Sequence, residues 1–164
     1  MRLKKFYTSR EVAAMTGLTA RQLQWWDAHR VFSAAVATQR TEAGGFTERR
    51  YTTLDVLELQ VLADLRRRGF SIPRLRRLLT VFHDVFGIRL YEAIGEGGPM
   101  TLFIGGDKIY ARAEDGRFFD LDEPTQPLLM VGEALSLRPL AARERKKRTT
   151  GSEKLSRGRR RAGQ

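Results

Sequence analysis

The sequence predicts an α+β protein, with a mainly helical N-terminal half, a small β-rich segment after it and a basic C-terminal tail. Three observations carry this. Residues 6–82 hold four segments of helical periodicity. Residues 101–121 hold short apolar runs separated by Gly-Gly-Asp and Glu-Asp-Gly. Charge divides the 164-residue chain the same way: residues 1–82 carry 15 Lys/Arg and 7 Asp/Glu, residues 83–142 carry 5 and 10, and residues 143–164 carry 10 and 2. Only the two outer blocks, each net positive, suit a polyanionic partner.

The first helix is read from "TSREVAAMTG". Thr8 and Glu11 have capping-box spacing, Val12 and Met15 share a face, and Gly17 stops the helix. The second starts at Thr19, with Gln22 three residues on, and runs to about Arg30. Thr16 to Leu18 alone separate the two, and two short helices joined by a tight Gly-containing turn are the signature of a helix-turn-helix. Residues 33–51 lose helical periodicity. Their Gly44-Gly45 turn between Val-, Thr-, Phe- and Tyr-rich segments suits a two-stranded hairpin, a wing.

A third helix follows in "TTLDVLELQVLADLRRRG", with a stripe at Leu54, Leu57, Val61 and Leu65. The fourth, "SIPRLRRLLTVFHDVFG", is capped by Ser71, tolerates Pro73 in its first turn and has the apolar face Ile72, Leu75, Leu79 and Phe82. "GEGGP" at 95–99 is the clearest linker signal. Three strands are expected beyond it, near 101–104, 108–113 and 117–121, and "QPLLMVGEAL" adds a fourth strand or a short helix. The tail has one strong apolar residue, Leu155, and is expected to be disordered. The predicted domains are a winged helix-turn-helix head over 1–87, an acidic β-rich partner or dimerisation module over 88–142, and the tail over 143–164.

Several functions are excluded. The chain has no cysteine and only two histidines, His29 and His83, so no metal or other cofactor is expected. No nucleophile elbow, phosphate loop or metal-spaced cluster appears, and the chain is read as not an enzyme. With no apolar run near ~20 residues and no signal-peptide core, it reads as soluble and cytoplasmic, of bacterial, nucleoid-associated type, with no membrane partner.

The order of these elements resembles the DNA-binding domain of the mercury-resistance regulator (MerR) family. "QLQWWD" is similar to that family's second-helix pattern, with Leu23 in the apolar slot, Trp25 and Trp26 in the aromatic pair and Asp27 in the acidic slot. Arg49, Arg50, Tyr51 and Asp55 match the wing end and the acidic helix start, and Gly69, Phe70, Ser71, Ile72 and Leu75 match the later break. The likeness covers residues 6–82. It implies a transcriptional regulator with the second helix in the major groove of double-stranded DNA and the wing on the backbone. Contacts are then implied from Thr19, Arg21, Gln22, Gln24 and Trp25 of that helix, and from Arg40, Arg49 and Arg50 of the wing.

The adjacent tryptophans test this picture, because helix neighbours point about 100° apart. Trp26 shares the core side with Leu23, whereas Trp25 lies with Gln22 and His29 on the outer side. Trp25 either packs on sugar with its N–H near phosphate or packs against the third helix or wing. The arginines at 66–68 and 74–77 are either a phosphate-binding rim or a solvated helix face.

Gln24 stands where the family carries an arginine, and a glutamine can make a bidentate contact to adenine. The wing is longer than usual. The helical pattern stops near Gly87 with no heptad seam, so the family's coiled-coil dimer helix is missing. Residues 99–140 are expected to form a homodimer or bind a protein partner, or else to pack on the head and complete its core. Their layout is loosely similar to antitoxin-like regulators. The rival functions are therefore an antitoxin-like or scaffold protein with autoregulatory DNA binding, and an architectural, non-specific DNA-binding protein using the tail.

Overall fold

Hydroxyl side chains open four helices in the part of the chain described by the computed structural model, namely residues 4–35, 43–45 and 48–128 with the backbone of 138–139. Thr8, Thr19, Thr52 and Ser71 are the N-caps of α1 (Ser9–Thr16), α2 (Ala20–Ala28), α3 (Thr53–Arg67) and α4 (Ile72–Val81). Each oxygen accepts a hydrogen bond from the amide three residues on, and Glu11, Gln22 and Asp55 return the bond to complete capping boxes. Gly17, at φ 78°, ends α1 in the left-handed region that an L side chain resists. The Thr16 hydroxyl donates to the Val12 carbonyl and accepts from the Leu18 amide, which tightens the turn into α2.

Three helix faces differ from expectation; on α4, Leu75 and Phe82 are buried as expected, but Ile72 and Leu79 are half-buried and Leu78 and Val81 are buried. On α1, Val12 is buried with Thr16, while Met15 is 39% exposed. The outward Met15 is compensated by a threonine whose hydroxyl is fully hydrogen-bonded inside. On α3, Val61 and Leu65 are buried as expected, but Leu54 is exposed and Leu57 half-buried. The buried set is instead Asp55, Val56, Glu58, Leu59, Val61, Leu62, Ala63 and Leu65. A single stripe cannot describe α3, because α1 packs on one side of it and α4 on another.

Of the hairpin expected over 33–51, residues 36–42 and 46–47 lie outside the described residues. Its described strand, β2 (Arg50–Tyr51), pairs antiparallel with β1 (Tyr7–Thr8), in register Tyr7 with Tyr51 and Thr8 with Arg50. A strand before α1 was not expected from the sequence, because two residues are too few to show an alternation.

Past α4 the chain makes one wide helical turn, Phe82–Phe86, stops at Gly87 with φ 64°, and takes a tight turn at Leu90–Ala93. Among the described residues no long helix follows. The chain enters a sheet of β3 (Met100–Gly105), β4 (Lys108–Ala113), β5 (Phe118–Asp120), β6 (Pro127–Leu128) and β7 (Arg138–Pro139), ordered β6-β5-β4-β3-β7 and antiparallel throughout. The three expected strands are present. Of "QPLLMVGEAL" the described part forms β6, and β7 is an addition that no sequence pattern announced. The tail over 143–164 lies outside the described residues.

The apolar core runs unbroken from the helices into the sheet: Leu75, Leu78, Phe82, Leu90 and Ala93 join Met100, Leu102, Ile109, Ala111 and Phe119. Each such large side chain contributes roughly 1.5–3 kcal/mol on burial. The Phe86 and Phe119 rings meet edge to face at 5.1 Å. Polar ties cross the same junction. Arg74 reaches the Asp122 carboxylate at 3.0 Å, and Arg77 donates to the Asp122 carbonyl at 2.6 Å. Arg89 bridges the buried carboxylates of Asp55 and Glu58 on α3. The glycine-rich stretch at 95–99 includes a tight approach, since a Cβ on Gly98 would lie 2.1 Å from the Glu92 carbonyl oxygen.

Candidate nucleic-acid interface

Helix α2 sorts its side chains by period. Leu23 and Trp26, three residues apart, are buried at 2% and 3% exposure and anchor α2 on the core. Arg21, Gln22, Gln24, Trp25, Ala28 and His29 remain exposed on the rest of its surface. One face is thus apolar and committed, and the other carries a cation, two amides and an indole.

Thr19 and Gln22 are tied to each other. The Thr19 hydroxyl accepts from the Gln22 amide at 3.0 Å, and Gln22 Oε1 accepts from the Thr19 amide at 2.9 Å. Their first role is to cap α2, which leaves the Gln22 side-chain NH2 as a donor. Trp25 is 42% exposed and stacks on His29, with ring centroids 3.9 Å apart and planes 17° from parallel. The indole therefore packs on a neighbouring ring of its own helix. His29 Nδ1 lies 2.9 Å from the Trp25 carbonyl oxygen, which also accepts the His29 amide.

The helix ends in a strained residue. Arg30 has φ 55°, a left-handed conformation that costs an L residue roughly 1–2 kcal/mol. The bonds that hold it there are local and tertiary. Arg30 donates to the Asp27 carbonyl, and Val31 and Phe32 both donate to the Trp26 carbonyl. From α4, Arg76 Nη2 donates to the His29 carbonyl at 2.8 Å. At the other helix of the motif, Arg67 Nη1 donates to the Thr16 carbonyl at 3.1 Å.

Of the expected wing residues, Arg50 lies exposed on β2 and Arg40 falls outside the described residues. Arg49 is about one-fifth exposed, because its Nε donates to Asp27 Oδ2 of α2 at 2.7 Å. This ion pair joins the residue before β2 to α2. The structure thus brings Thr19, Arg21, Gln22, Gln24 and Trp25 together on one helix, with Arg49 bonded to that helix.

The sequence did not reveal what the arginine clusters do. Arg67 and Arg76 donate to the carbonyls that end α1 and α2, and Arg74 and Arg77 bind Asp122, just past β5. No local pattern tells an arginine that ties two elements from one that faces solvent. Tyr51, matched to the wing-end motif, is 1% exposed, and burial pushes its phenol pKa up. Among the described residues no three His, Asp or Glu side chains are placed to hold a metal ion, and no helix is long and apolar enough to cross a membrane.

Comparison with known proteins bears on the same half of the chain. Residues 7–81 match the family model described as MerR HTH family regulatory protein. The HTH-type transcriptional regulator CueR of Yersinia pestis is 32% identical over 74 residues, covering 45% of this chain and 49% of that protein. The chain thus spans about half the length of this relative.

Proposed function

From residues 7–81 being a helix-turn-helix domain of the MerR family, we propose that the chain is a sequence-specific, DNA-binding transcriptional regulator. The observation that supports this best is α2 itself: anchored by Leu23 and Trp26, it leaves Arg21, Gln24 and Trp25 free of the core on a helix that a capping box and two long-range arginine bonds, from Arg49 to Asp27 and from Arg76 to the His29 carbonyl, hold in place. Such a helix fits the major groove of B-DNA. Arg21 and Arg50 contact phosphate, Gln24 reads a base edge, and the Trp25–His29 stack lies along the sugar-phosphate backbone. Thr19 and Gln22 cap the helix and contact the backbone at its N-terminus, and Arg40 and Arg49 contact phosphate from the wing.

Residues 1–87 form the reading head and 88–142 a module that recruits a second copy or a protein partner. Where the resembling regulators continue into a long coiled-coil helix, the described residues after α4 form the turn at Leu90–Ala93 and the sheet, and that module takes over dimer formation. The basic tail adds non-specific affinity at high local concentration.

The test is selection from a random duplex pool with the full chain at near-physiological salt, followed by titration of any enriched site against shuffled DNA. A specific regulator enriches a motif bound ~10³-fold or more tighter than shuffled sequence, and an inverted repeat indicates a dimer. Arg21→Gln and Arg50→Gln should each lower the magnitude of the salt slope by ~0.9. Strong binding to random DNA with no enriched motif would sink the specific reading in favour of an architectural role.

A further inference from the structure

The end of α2 is held from outside the motif, and this has a consequence for how the helix presents its surface. Arg76 is on α4, 47 positions away, yet its Nη2 donates to the carbonyl of His29, the residue whose ring stacks on Trp25. That carbonyl belongs to the peptide joining His29 to Arg30, the residue with left-handed φ. A helix C-terminus carries orphan carbonyls and partial negative charge, so a guanidinium there both satisfies an acceptor and complements the dipole. One bond from α4 thus acts on the strained peptide, on the histidine that packs against the exposed indole, and on the last turn of the helix.

We propose that Arg76 is a positioning residue: it fixes the C-terminal turn of α2 and, through His29, the orientation of Trp25, without itself contacting a ligand. The consequence for DNA reading rests on the function proposed above. The neighbouring arginines divide along α4: Arg74 and Arg77 turn to Asp122, and Arg76 alone of the three turns to the recognition helix. Its partner is a backbone carbonyl, so the interaction survives substitutions of the His29 side chain but not loss of the guanidinium.

The experiment compares full-length wild type with Arg76→Met, which keeps the stem and loses donors and charge, and with Arg76→Lys, which restores a cation with donors. Two readouts need no DNA. Amide exchange at Arg30, Val31 and Phe32 should quicken in Arg76→Met and recover in part in Arg76→Lys. Acrylamide quenching reports the exposed Trp25 in preference to the buried Trp26, and should change in Arg76→Met with far-ultraviolet dichroism unaltered. Unchanged exchange and quenching would overturn the proposal.

A third readout tests the consequence for reading. On a selected site, Arg76→Met should cut the ratio of specific to random affinity about threefold with the salt slope unchanged, in line with the modest strength of a charge at a helix end. A slope smaller by ~0.9, with specific and random DNA weakened alike, would make Arg76 a phosphate contact and overturn the proposal. If the wild type selects no site, the proposed function fails, while exchange and quenching still decide whether Arg76 holds the helix end.

Discussion

Arg49 Nε and Asp27 Oδ2 stand 2.7 Å apart across 22 positions of sequence, joining the residue before β2 to α2. Both side chains are about one-fifth exposed, so each loses hydration that the other must replace. Asp27→Asn should destabilise the protein by about 1–2 kcal/mol, and Arg49→Gln by a similar amount. The double variant should cost less than the sum, which urea denaturation of all four proteins resolves as a coupling energy. Strictly additive losses would mean that the pair contributes nothing as a pair.

The two tryptophans should behave oppositely. Trp26, 3% exposed beside Leu23, should lose about 3–5 kcal/mol on Trp26→Ala. Trp25→Ala should cost well under about 1 kcal/mol, because only its stack on His29 is lost. Its effect should appear instead as weaker binding to a selected DNA site at unchanged melting temperature. Thermal denaturation paired with one binding titration separates the two residues.

Glu58 makes stability depend on pH in an unusual direction. Burial raises its carboxyl pKa above the ordinary 4.5, against the opposing attraction of Arg89. The folded state therefore holds that proton more readily than the unfolded chain does, and stability falls as pH rises from about 4.5 through the raised folded value. Below 4.5 both states are protonated and the effect vanishes. Asp120 works the other way. Burial opposes its charge, but Lys108 at 2.8 Å and the Asp122 amide outweigh it and lower its pKa below 3.8, so its contribution is lost only as pH drops through that lowered value. Stability curves of wild type and Glu58→Gln should diverge as pH climbs past 4.5, and a constant difference would exclude Glu58 as the source.

Gly98 is required for space. An added Cβ would sit 2.1 Å from the Glu92 carbonyl oxygen and 3.2 Å from its carbon, both backbone atoms that cannot swing away. Gly98→Ala should destabilise by about 1–3 kcal/mol through displacement of the turn that enters β3. Gly97→Ala strains φ at 94° without any such contact. If melting shows the two variants equally affected, backbone conformation rather than crowding governs the stretch.

Short-range chemistry was legible before any coordinates. Thr8 with Glu11 and Thr19 with Gln22, each a threonine with its reciprocal partner three residues on, mark two helix starts, because donor and acceptor are fixed by backbone geometry within one turn. The same holds for Gly17 at the end of α1, for the Gly-Asp and Asp-Gly turns of the sheet, and for the burial of Trp26 rather than Trp25. These follow from residue type and period alone. The candidate surface of α2 was readable for the same reason, as whatever remains once Leu23 and Trp26 are turned inward.

Tertiary packing decided what period could not. Met15 turns outward while Thr16 turns in, and α3 buries more than one stripe because it has neighbours on more than one side. Strand β1 exists only because β2 lies beside it. The arginines show the limit most clearly. Arg67, Arg74, Arg76 and Arg77 sit in two similar basic runs, yet their partners are Thr16, Asp122, His29 and Asp122. A guanidinium on a long stem finds its acceptor wherever the chain's path brings one within reach, and that path is set by the shared core of helices and sheet.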